Sequence, residues 1–238
     1  MSEMHCVVLA GGLGTRISGI TENKVPKALV EVGGVPFLHF KILSLIEMGF
    51  TSLDLLVGVH GEQIERFINS RKYRDIEIRC FSDGPELLGT AGSIRAILDH
   101  LPGTFWVTYA DSYVVADVQT VEKSLNFSGK CIMTVLKNED RVETSNVSLS
   151  ADGNFVTSYE KNPPRKSHQW IDYGLLRFEK STFEKINRLK NVDLRTVIET
   201  EISINELKAF QTKHQFWDIG TPERLNATTE EFRHRGWV

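Results

Sequence analysis

The fold of this chain is decided by a glycine-rich stretch near its start, Leu9-Ala10-Gly11-Gly12-Leu13-Gly14-Thr15-Arg16. The apolar run at residues 6–10 indicates a buried strand, and the glycines after it indicate a tight turn. A turn without Cβ atoms lets backbone N–H groups approach a ligand closely, and such groups bind anions. Arg16 and Lys27 add positive charge for phosphate oxygens. We therefore predict a nucleoside triphosphate site at this turn.

Two other phosphate-binding loops are also rich in glycine, and neither fits the sequence. A P-loop requires Gly-x4-Gly-Lys-Ser/Thr, which the chain does not contain. A dinucleotide-binding loop requires a third small residue where Ile17 stands, followed by a long apolar helix. Residues 18–25 are instead polar and end before a proline. The turn is therefore a different kind of phosphate loop.

The composition is that of an ordinary globular protein. Hydrophobic residues make up 41% of the 238 residues, charged residues make up 25%, and the net charge is -3. Lysine and arginine are scattered, so we expect no nucleic-acid or membrane partner. No apolar stretch approaches the roughly 18 residues of a membrane span, so we expect a cytoplasmic protein. Cys6, Cys80 and Cys131 lie in apolar or strand-like runs and are expected to be buried free thiols.

Strand-like and helical segments alternate along the chain, which predicts an α/β fold: a Rossmann-like mixed, mostly parallel sheet flanked by helices. The predicted strands are residues 6–10, 53–59, 76–81, 105–109, 130–136, 146–149, 155–159, 170–178, 207–210 and 215–219. The predicted helices begin near Pro36 and Pro222 and otherwise cover 63–68, 93–100, 181–189 and 194–206. We expect one domain, residues 1–238, with a nucleotide-binding half at 1–120 and an acceptor-binding half at 121–238.

Asp111 closes the predicted strand 105–109. Ligands of open α/β sheets bind beyond the carboxyl ends of the strands, so this carboxylate should face the same crevice as the glycine turn. Triphosphates are used with Mg²⁺, which takes one or two carboxylates together with phosphate oxygens and water. We therefore predict that Asp111 is a Mg²⁺ ligand.

The glycine stretch, followed by Pro26-Lys27, resembles the signature of the sugar-nucleotide pyrophosphorylases. These nucleotidyltransferases carry Ala-Gly-Gly-x-Gly-Thr-Arg after a hydrophobic strand and then Pro-Lys. The resemblance extends over nearly the whole chain. The compact length and the Pro-Phe-Leu at residues 36–38 look most like the heptose 1-phosphate guanylyltransferases. The resemblance implies a Mg²⁺-dependent transfer of a nucleotidyl group from a nucleoside triphosphate to a sugar 1-phosphate, giving pyrophosphate and a nucleotide sugar for surface polysaccharide.

The resemblance also implies roles for particular residues. The second metal ligand is Asp218, in a string that looks like the family's Asp-Ile-Gly-Thr-Pro-Glu. Arg16 and Lys27 are the catalytic cations, on the leaving phosphates and near the α-phosphate. The acceptor phosphate attacks the α-phosphorus in line, and no general base is needed. The nucleotide-binding residues implied are Leu9, Ala10, Gly11, Gly12, Gly14, Thr15, Gly89 and Thr90, with Thr90 also expected to cap the helix that follows.

The acceptor-binding residues implied are Glu160, Lys161, Asp172 and Gly174. This part of the chain departs from the family pattern. Relatives often carry Asn-Ala-Gly where Asp172-Tyr173-Gly174 stands, and we expect Tyr173 to narrow the acceptor space. Gly84 stands where relatives often carry an acidic or amide residue that helps to read the base. The base, GTP or another triphosphate, and the acceptor therefore stay open.

Two other functions compete with this interpretation. Pro26-Lys27-Ala28-Leu29-Val30 and the short length also resemble phosphocholine cytidylyltransferases. A catalytically silent regulatory module is a second possibility, because the fold is reused in that way. A silent module predicts the loss of Arg16, Lys27 or a metal aspartate, and all are present. The implied partners are the triphosphate and the phosphorylated acceptor, and a homo-oligomer is left open.

Overall fold

A computed structural model describes residues 4–12, 17–22, 24–84, 88–124, 131–138, 144–160, 168–187 and 191–238. Two compact units are present. The first contains Met1–Leu87, Thr108–Val115 and Phe216–Val238, and the second contains Leu88–Val107 and Ala116–Gln215. The units therefore interleave along the chain. The division into a nucleotide-binding half at 1–120 and an acceptor-binding half at 121–238 stays a prediction.

In chain order, the strands are β1 (His5–Ala10), β2 (Glu31–Val32), β3 (Val35–Pro36), β4 (Ser52–Val57), β5 (Glu77–Ser82), β6 (Thr104–Tyr109), β7 (Ser112–Tyr113), β8 (Cys131–Lys137), β9 (Val147–Leu149), β10 (Val156–Tyr159), β11 (Trp170–Glu179), β12 (Leu207–Thr212) and β13 (Trp217–Asp218). The helices are α1 (Ser18–Thr21), α2 (Phe37–Glu47), α3 (Gly61–Asn69), α4 (Gly89–Ala96), α5 (Val118–Ser124), α6 (Ser181–Glu184), α7 (Leu194–Ser203) and α8 (Pro222–His234). Single turns of 3-10 helix lie at Lys27–Leu29 and Leu98–His100.

The core of the first unit is a set of parallel strands. β1 pairs with β4, and β4 pairs with β5, in register along all six residues of each strand. β1 is apolar at nearly every position because a parallel strand is covered on both faces. Helix α2 has an apolar face, with Leu38, Ile42 and Leu45 buried, and Gly49 follows the helix at φ +93°.

The C-terminal segment belongs to this same unit. β13 pairs antiparallel with β7, which places Trp217 opposite Tyr113 and Asp218 opposite Ser112. Helix α8 then packs Phe232 among the aromatic rings of Phe37 and Phe40, with ring centroids 6.3 and 4.9 Å away. As predicted, α8 begins with proline at its first position. This packing brings the end of the described chain back to the strands that follow the glycine turn.

The second unit has mixed pairing. β8 lies between β11, to which it is antiparallel, and β12, to which it is parallel. A hairpin turn at residues 151–154 joins β9 and β10, with Gly153 at φ +73°. The register of β11 shifts between Asp172 and Leu176, where Gly174 has a φ of +79°. This bulge lies at the predicted acceptor-binding positions.

These pairings confirm the predicted α/β class with a mixed, mostly parallel sheet. Several boundaries differ from prediction. The strand expected at 53–59 ends at Val57, because Gly58 and the left-handed His60 turn the chain. The helix expected at 93–100 already starts at Gly89, and the one expected at 181–189 is confined to Ser181–Glu184 in the described residues.

The three cysteines are free thiols, as predicted; Cys6 and Cys131 are buried and Cys80 is half-buried. Within the part of the chain that the structure describes, every helix is too short or too polar to span a membrane.

Candidate functional site

The glycine turn follows β1 at the carboxyl end of the parallel strands, as predicted. Leu9 and Ala10 end the strand, and Gly11 and Gly12 begin the turn. Gly58, directly after the neighbouring strand β4, lies so close that a Cβ placed on it would be 2.7 Å from the carbonyl oxygen of Gly11. Two strand ends thus meet without side chains between them. Gly14, Thr15 and Arg16 lie outside the described residues, and their roles stay predictions.

Lys27 reaches Asp111, which lies in the turn between β6 and β7. Pro26, with φ -57°, starts the 3-10 turn Lys27–Leu29, and Ala28 within that turn is buried. The anchored turn directs the lysine so that Nζ donates a hydrogen bond to Oδ2 of Asp111. The Lys27 side chain is only 12% exposed. Two residues that the sequence predicted for one site are therefore in direct contact.

Asp218 lies beside Asp111. The backbone N–H of Ile219 donates to the backbone carbonyl of Asp111 at 3.1 Å, so the two aspartates occupy neighbouring positions of paired segments. Oδ1 of Asp218 accepts the N–H of Gly220 at 2.7 Å, and Oδ2 accepts a guanidinium N–H of Arg224 at 3.0 Å. Lys27 also lies close to the segment that follows Asp218, because its Nζ is 3.7 Å from the position that a Cβ on Gly220 would occupy.

Both carboxylates of this cluster are paired with cations, Asp111 with Lys27 and Asp218 with Arg224. Burial is the main cause that raises the pKa of Asp218 above its ordinary value, and the charge of Asp111 raises it further. Arg224, the Gly220 N–H and Lys27 act in the opposite direction. Two carboxylates that repel each other at the edge of a sheet are a suitable oxygen donor set for Mg²⁺, which needs no more than one or two. Among the described residues, no group of three or more histidine, cysteine, aspartate or glutamate side chains forms a complete ligand set.

Two charged residues near this cluster were missed by the sequence interpretation. Arg224 was readable in principle, because Thr221 caps α8 by accepting the Arg224 N–H at 3.3 Å. That cap fixes Arg224 in the first turn, six positions after Asp218. Lys41 was hidden within the apolar face of α2. It is 0% exposed, its Nζ donates to the Thr108 hydroxyl at 2.8 Å, and burial lowers its pKa to about 8.

The predicted base-reading loop belongs to the second unit. Gly89 has a φ of +73°, and a Cβ there would lie 2.6 Å from the carbonyl oxygen of Val192. That carbonyl also accepts the N–H groups of Ala91 and Gly92, at 2.9 and 3.2 Å. The expected capping role of Thr90 is wrong: α4 has no side-chain cap, and the Thr90 hydroxyl accepts the N–H of Leu194 at 2.7 Å. This loop is therefore tied to the start of α7.

The predicted acceptor residues Glu160 and Asp172 both contact Asn146. The Glu160 N–H donates to the Asn146 carbonyl at 2.9 Å, and the Asp172 N–H donates to its side-chain oxygen at 3.0 Å. Oδ1 of Asp172 accepts the Gly174 N–H at 2.9 Å across the bulge. Tyr173 was expected to narrow the acceptor space, but its side chain is buried in the core of the second unit. Lys161 lies outside the described residues.

Comparison with known proteins gives these residues a family. A family model described as nucleotidyl transferase matches residues 5–234. The D-glycero-alpha-D-manno-heptose 1-phosphate guanylyltransferase of Campylobacter jejuni is 27% identical over 221 residues, covering 92% of this chain and 96% of that protein. The bifunctional protein GlmU of Methanococcus aeolicus is 28% identical over 233 residues; 95% of this chain matches, but this spans only 54% of GlmU.

A solved structure shows the same fold. HddC from Yersinia pseudotuberculosis, complexed with GMP-PN, superposes with a TM-score of 0.83 at 24% identity, over 96% of this chain and 99% of that one. The match of the family model runs from β1 into α8 and so includes both aspartates, Lys27 and the glycine turn. The chain belongs to the nucleotidyl transferase family.

Proposed function

We propose that this protein transfers a nucleotidyl group from a nucleoside triphosphate to a sugar 1-phosphate, releasing pyrophosphate and forming a nucleotide sugar. The observation that carries the proposal is the meeting of Lys27, Asp111 and Asp218 within the first unit, next to the glycine turn. A cation and two carboxylates beside a phosphate-binding loop have the chemistry that a metal-bound triphosphate requires. The named relatives that act on sugar 1-phosphates support the same conclusion.

Asp111 and Asp218 are the residues that would hold Mg²⁺. The ion would supply positive charge for the phosphate oxygens of the triphosphate. Lys27 carries three N–H donors, so Nζ can bind an α-phosphate oxygen while remaining close to Asp111. Arg16 would bind the leaving phosphates. Gly11 and Gly12 admit the triphosphate because they have no side chains there.

The residues position the substrates and neutralise charge, and they supply no general base. A sugar 1-phosphate is already anionic at neutral pH, so its oxygen can attack the α-phosphorus without losing a proton. Catalysis then depends on alignment of the attacking and leaving oxygens and on preorganised charge. The hydrogen bond from Lys27 to Asp111 supports this role, because it holds the lysine in place before the substrate arrives.

GTP and a heptose 1-phosphate are the proposed substrates. The supporting observation is length: the heptose 1-phosphate guanylyltransferases of Campylobacter jejuni and Aneurinibacillus thermoaerophilus match this chain over 96% and 99% of their own lengths. GlmU, by contrast, is matched over only 54% of its length. We further propose that the enzyme acts in the cytoplasm, where nucleoside triphosphates are supplied.

A pyrophosphate-release screen tests the proposal. Each of the four nucleoside triphosphates is combined with heptose, mannose, glucose and N-acetylglucosamine 1-phosphates and with phosphocholine, in Mg²⁺ and in excess chelator. We expect release with GTP and heptose 1-phosphate, and none with chelator. Release only with CTP and phosphocholine would replace the proposal with the cytidylyltransferase alternative. A folded protein that binds the Mg²⁺-triphosphate but turns over no pair would establish a silent binding module.

A further inference from the structure

A buried histidine lies behind the proposed acceptor residue Glu160. The side chain of His168 is only 4% exposed, whereas that of Glu160 is 46% exposed. Nδ1 of His168 lies 2.8 Å from the hydroxyl of Ser148, and Nε2 lies 3.4 Å from Oε1 of Glu160. Nε2 is shielded from solvent and forms no hydrogen bond to any residue that the structure describes. An imidazole nitrogen without such a bond thus stands next to a half-exposed carboxylate.

The three residues come from adjacent parts of the second unit. Ser148 is in β9, Glu160 directly follows β10, and His168 precedes β11. β9 pairs with both β10 and β11, so backbone hydrogen bonds fix the spacing of the three side chains. The arrangement is therefore built into the sheet rather than formed by a chance surface contact.

The Ser148 hydroxyl can fix the tautomer of His168. A hydroxyl that donates to Nδ1 leaves the proton of the neutral ring on Nε2. That N–H then lies beside the Glu160 carboxylate, which only accepts hydrogen bonds when ionised. A separation of 3.4 Å is longer than a good hydrogen bond, so His168 restrains the Glu160 carboxylate only weakly in the free protein. A ligand that orders the carboxylate can shorten this contact.

We propose that His168 is a positioning residue for the acceptor: through Nε2 it orients the Glu160 carboxylate to accept hydrogen bonds from sugar hydroxyls. The inference rests on the proposed function and on the acceptor role that the family resemblance implies for Glu160. Ser148 serves the same end by holding the other ring nitrogen. Burial of the imidazole keeps water from competing for Nε2.

Two amide substitutions separate a positioning role from a structural one. In His168→Gln the amide nitrogen falls near the place of Nε2, so a donor to Glu160 is kept. In His168→Asn the amide reaches only the place of Nδ1, so the contact with Ser148 is kept and the donor to Glu160 is lost. We expect His168→Asn to raise KM for the sugar 1-phosphate about tenfold, the value of one hydrogen bond to a charged group. We expect His168→Gln to stay within about threefold of the wild type, and KM for the triphosphate to change little in either.

Two results would overturn the inference: equal changes in the acceptor KM for the Gln and Asn variants, or parallel changes in both substrates' KM values. A double-variant cycle adds a second test. If His168 acts through Glu160, the effect of His168→Asn on the acceptor KM should largely vanish in a Glu160→Gln background. Full additivity would mean that His168 acts independently of Glu160, and the inference would be wrong.

A measurement without turnover keeps the inference separate from the proposed function. ¹⁵N NMR of the histidine side chains should show the proton on Nε2 of His168, and the Nε2 resonance should move in Glu160→Gln. A proton on Nδ1, or no response to Glu160→Gln, overturns the inference. Wild-type protein that shows this coupling but releases no pyrophosphate with any acceptor overturns the proposed function and, with it, the acceptor role assigned to the contact.

Discussion

Nζ of Lys27 donates a hydrogen bond to Oδ2 of Asp111, a residue 84 positions later in the chain. Asp218 stands beside this pair, and Arg224 in turn binds Asp218. Positive and negative side chains therefore alternate through the cluster, so that neither the cations nor the carboxylates stand alone. Under the proposed function, a metal and a triphosphate would therefore bind to side chains whose charges are already paired with one another.

Lys27→Met tests the catalytic role of the lysine. It removes a preorganised contact to the transferring phosphate, a loss that typically costs about 2.7–4 kcal/mol of transition-state stabilisation. Turnover at saturating substrates should therefore fall at least about a hundredfold, with circular dichroism unchanged. Lys24→Met is the matched control, because Lys24 is exposed and pairs only with nearby Glu22 among the contacts described. Near-normal turnover of the Lys27 variant would exclude it from the site.

Asp111→Asn and Asp218→Asn test the metal pair. Each keeps the shape of the side chain but removes one negative charge, so the attraction for Mg²⁺ falls. In thermal denaturation the wild type should gain stability from Mg²⁺ with GTP beyond that from GTP alone, and both variants should lose most of this gain. Asp117→Asn, at an exposed aspartate that accepts from Thr120, is the control. Equal gains in all four proteins would rule the two aspartates out as ligands.

Gly58→Ala tests the close approach of the two strand ends. The added Cβ would lie 2.7 Å from the Gly11 oxygen and 3.0 Å from its Cα, so the first glycine of the turn must move. A displacement of this kind near the phosphates should raise KM for the triphosphate at least about tenfold. Gly103→Ala is the control, since a Cβ there meets nothing within 4 Å. If the two variants have the same KM for the triphosphate, the turn tolerates the shift, and the close approach of Gly58 to Gly11 is not needed for function.

Lys41→Met tests the buried lysine through the pH dependence of stability. Burial lowers the pKa of Lys41 from 10.5 to about 8, so between these values the unfolded chain binds a proton that the folded protein does not. The wild type's free energy of unfolding, measured relative to the variant's, should therefore rise by roughly 3 kcal/mol from pH 8 to 10.5. Urea denaturation at several pH values measures this change. For Lys24→Met, the difference in free energy of unfolding from the wild type should not vary with pH. If the corresponding difference for Lys41→Met also does not vary with pH, the lysine of the folded protein keeps its ordinary pKa.

Thr90→Ala tests the corrected role of Thr90. The substitution leaves the N–H of Leu194, at the start of α7, without the hydroxyl that now accepts it at 2.7 Å. The free energy of unfolding should fall by about 1–2 kcal/mol, and Thr90→Ser should restore most of it. If Thr90→Ala instead raises KM for the triphosphate without changing stability, the hydroxyl binds the nucleotide as the sequence first suggested.

Local signals in the sequence were enough for most of the fold. The apolar run before Gly11 and the proline that starts α8 are each read within a few residues, and both are confirmed. The sheet class followed from alternating strands and helices. The interleaving of the two units could not be read locally, because it depends on the packing of Phe232 against Phe37 and Phe40.

The candidate site, too, could be predicted from local sequence only in part. Lys27, Asp111 and Asp218 could be placed together because each stands at a strand end or beside a proline, within strings that resemble a known family. The partners of Lys41 and Thr90 could not, because Thr108 and Leu194 lie 67 and 104 positions away. The position of Lys41 among the apolar residues of α2 was a signal that the sequence interpretation did not use.

The antiparallel pairing of Trp217 with Tyr113 has a consequence for synthesis of the protein. A nascent chain that has left the ribosome only as far as residue 210 already contains Lys27 and Asp111, yet it lacks the second carboxylate. It also lacks helix α8, whose Phe232 packs against Phe37 and Phe40. Under the proposed function, such a chain would therefore gain its second metal ligand only when residues 217–218 pair with β7.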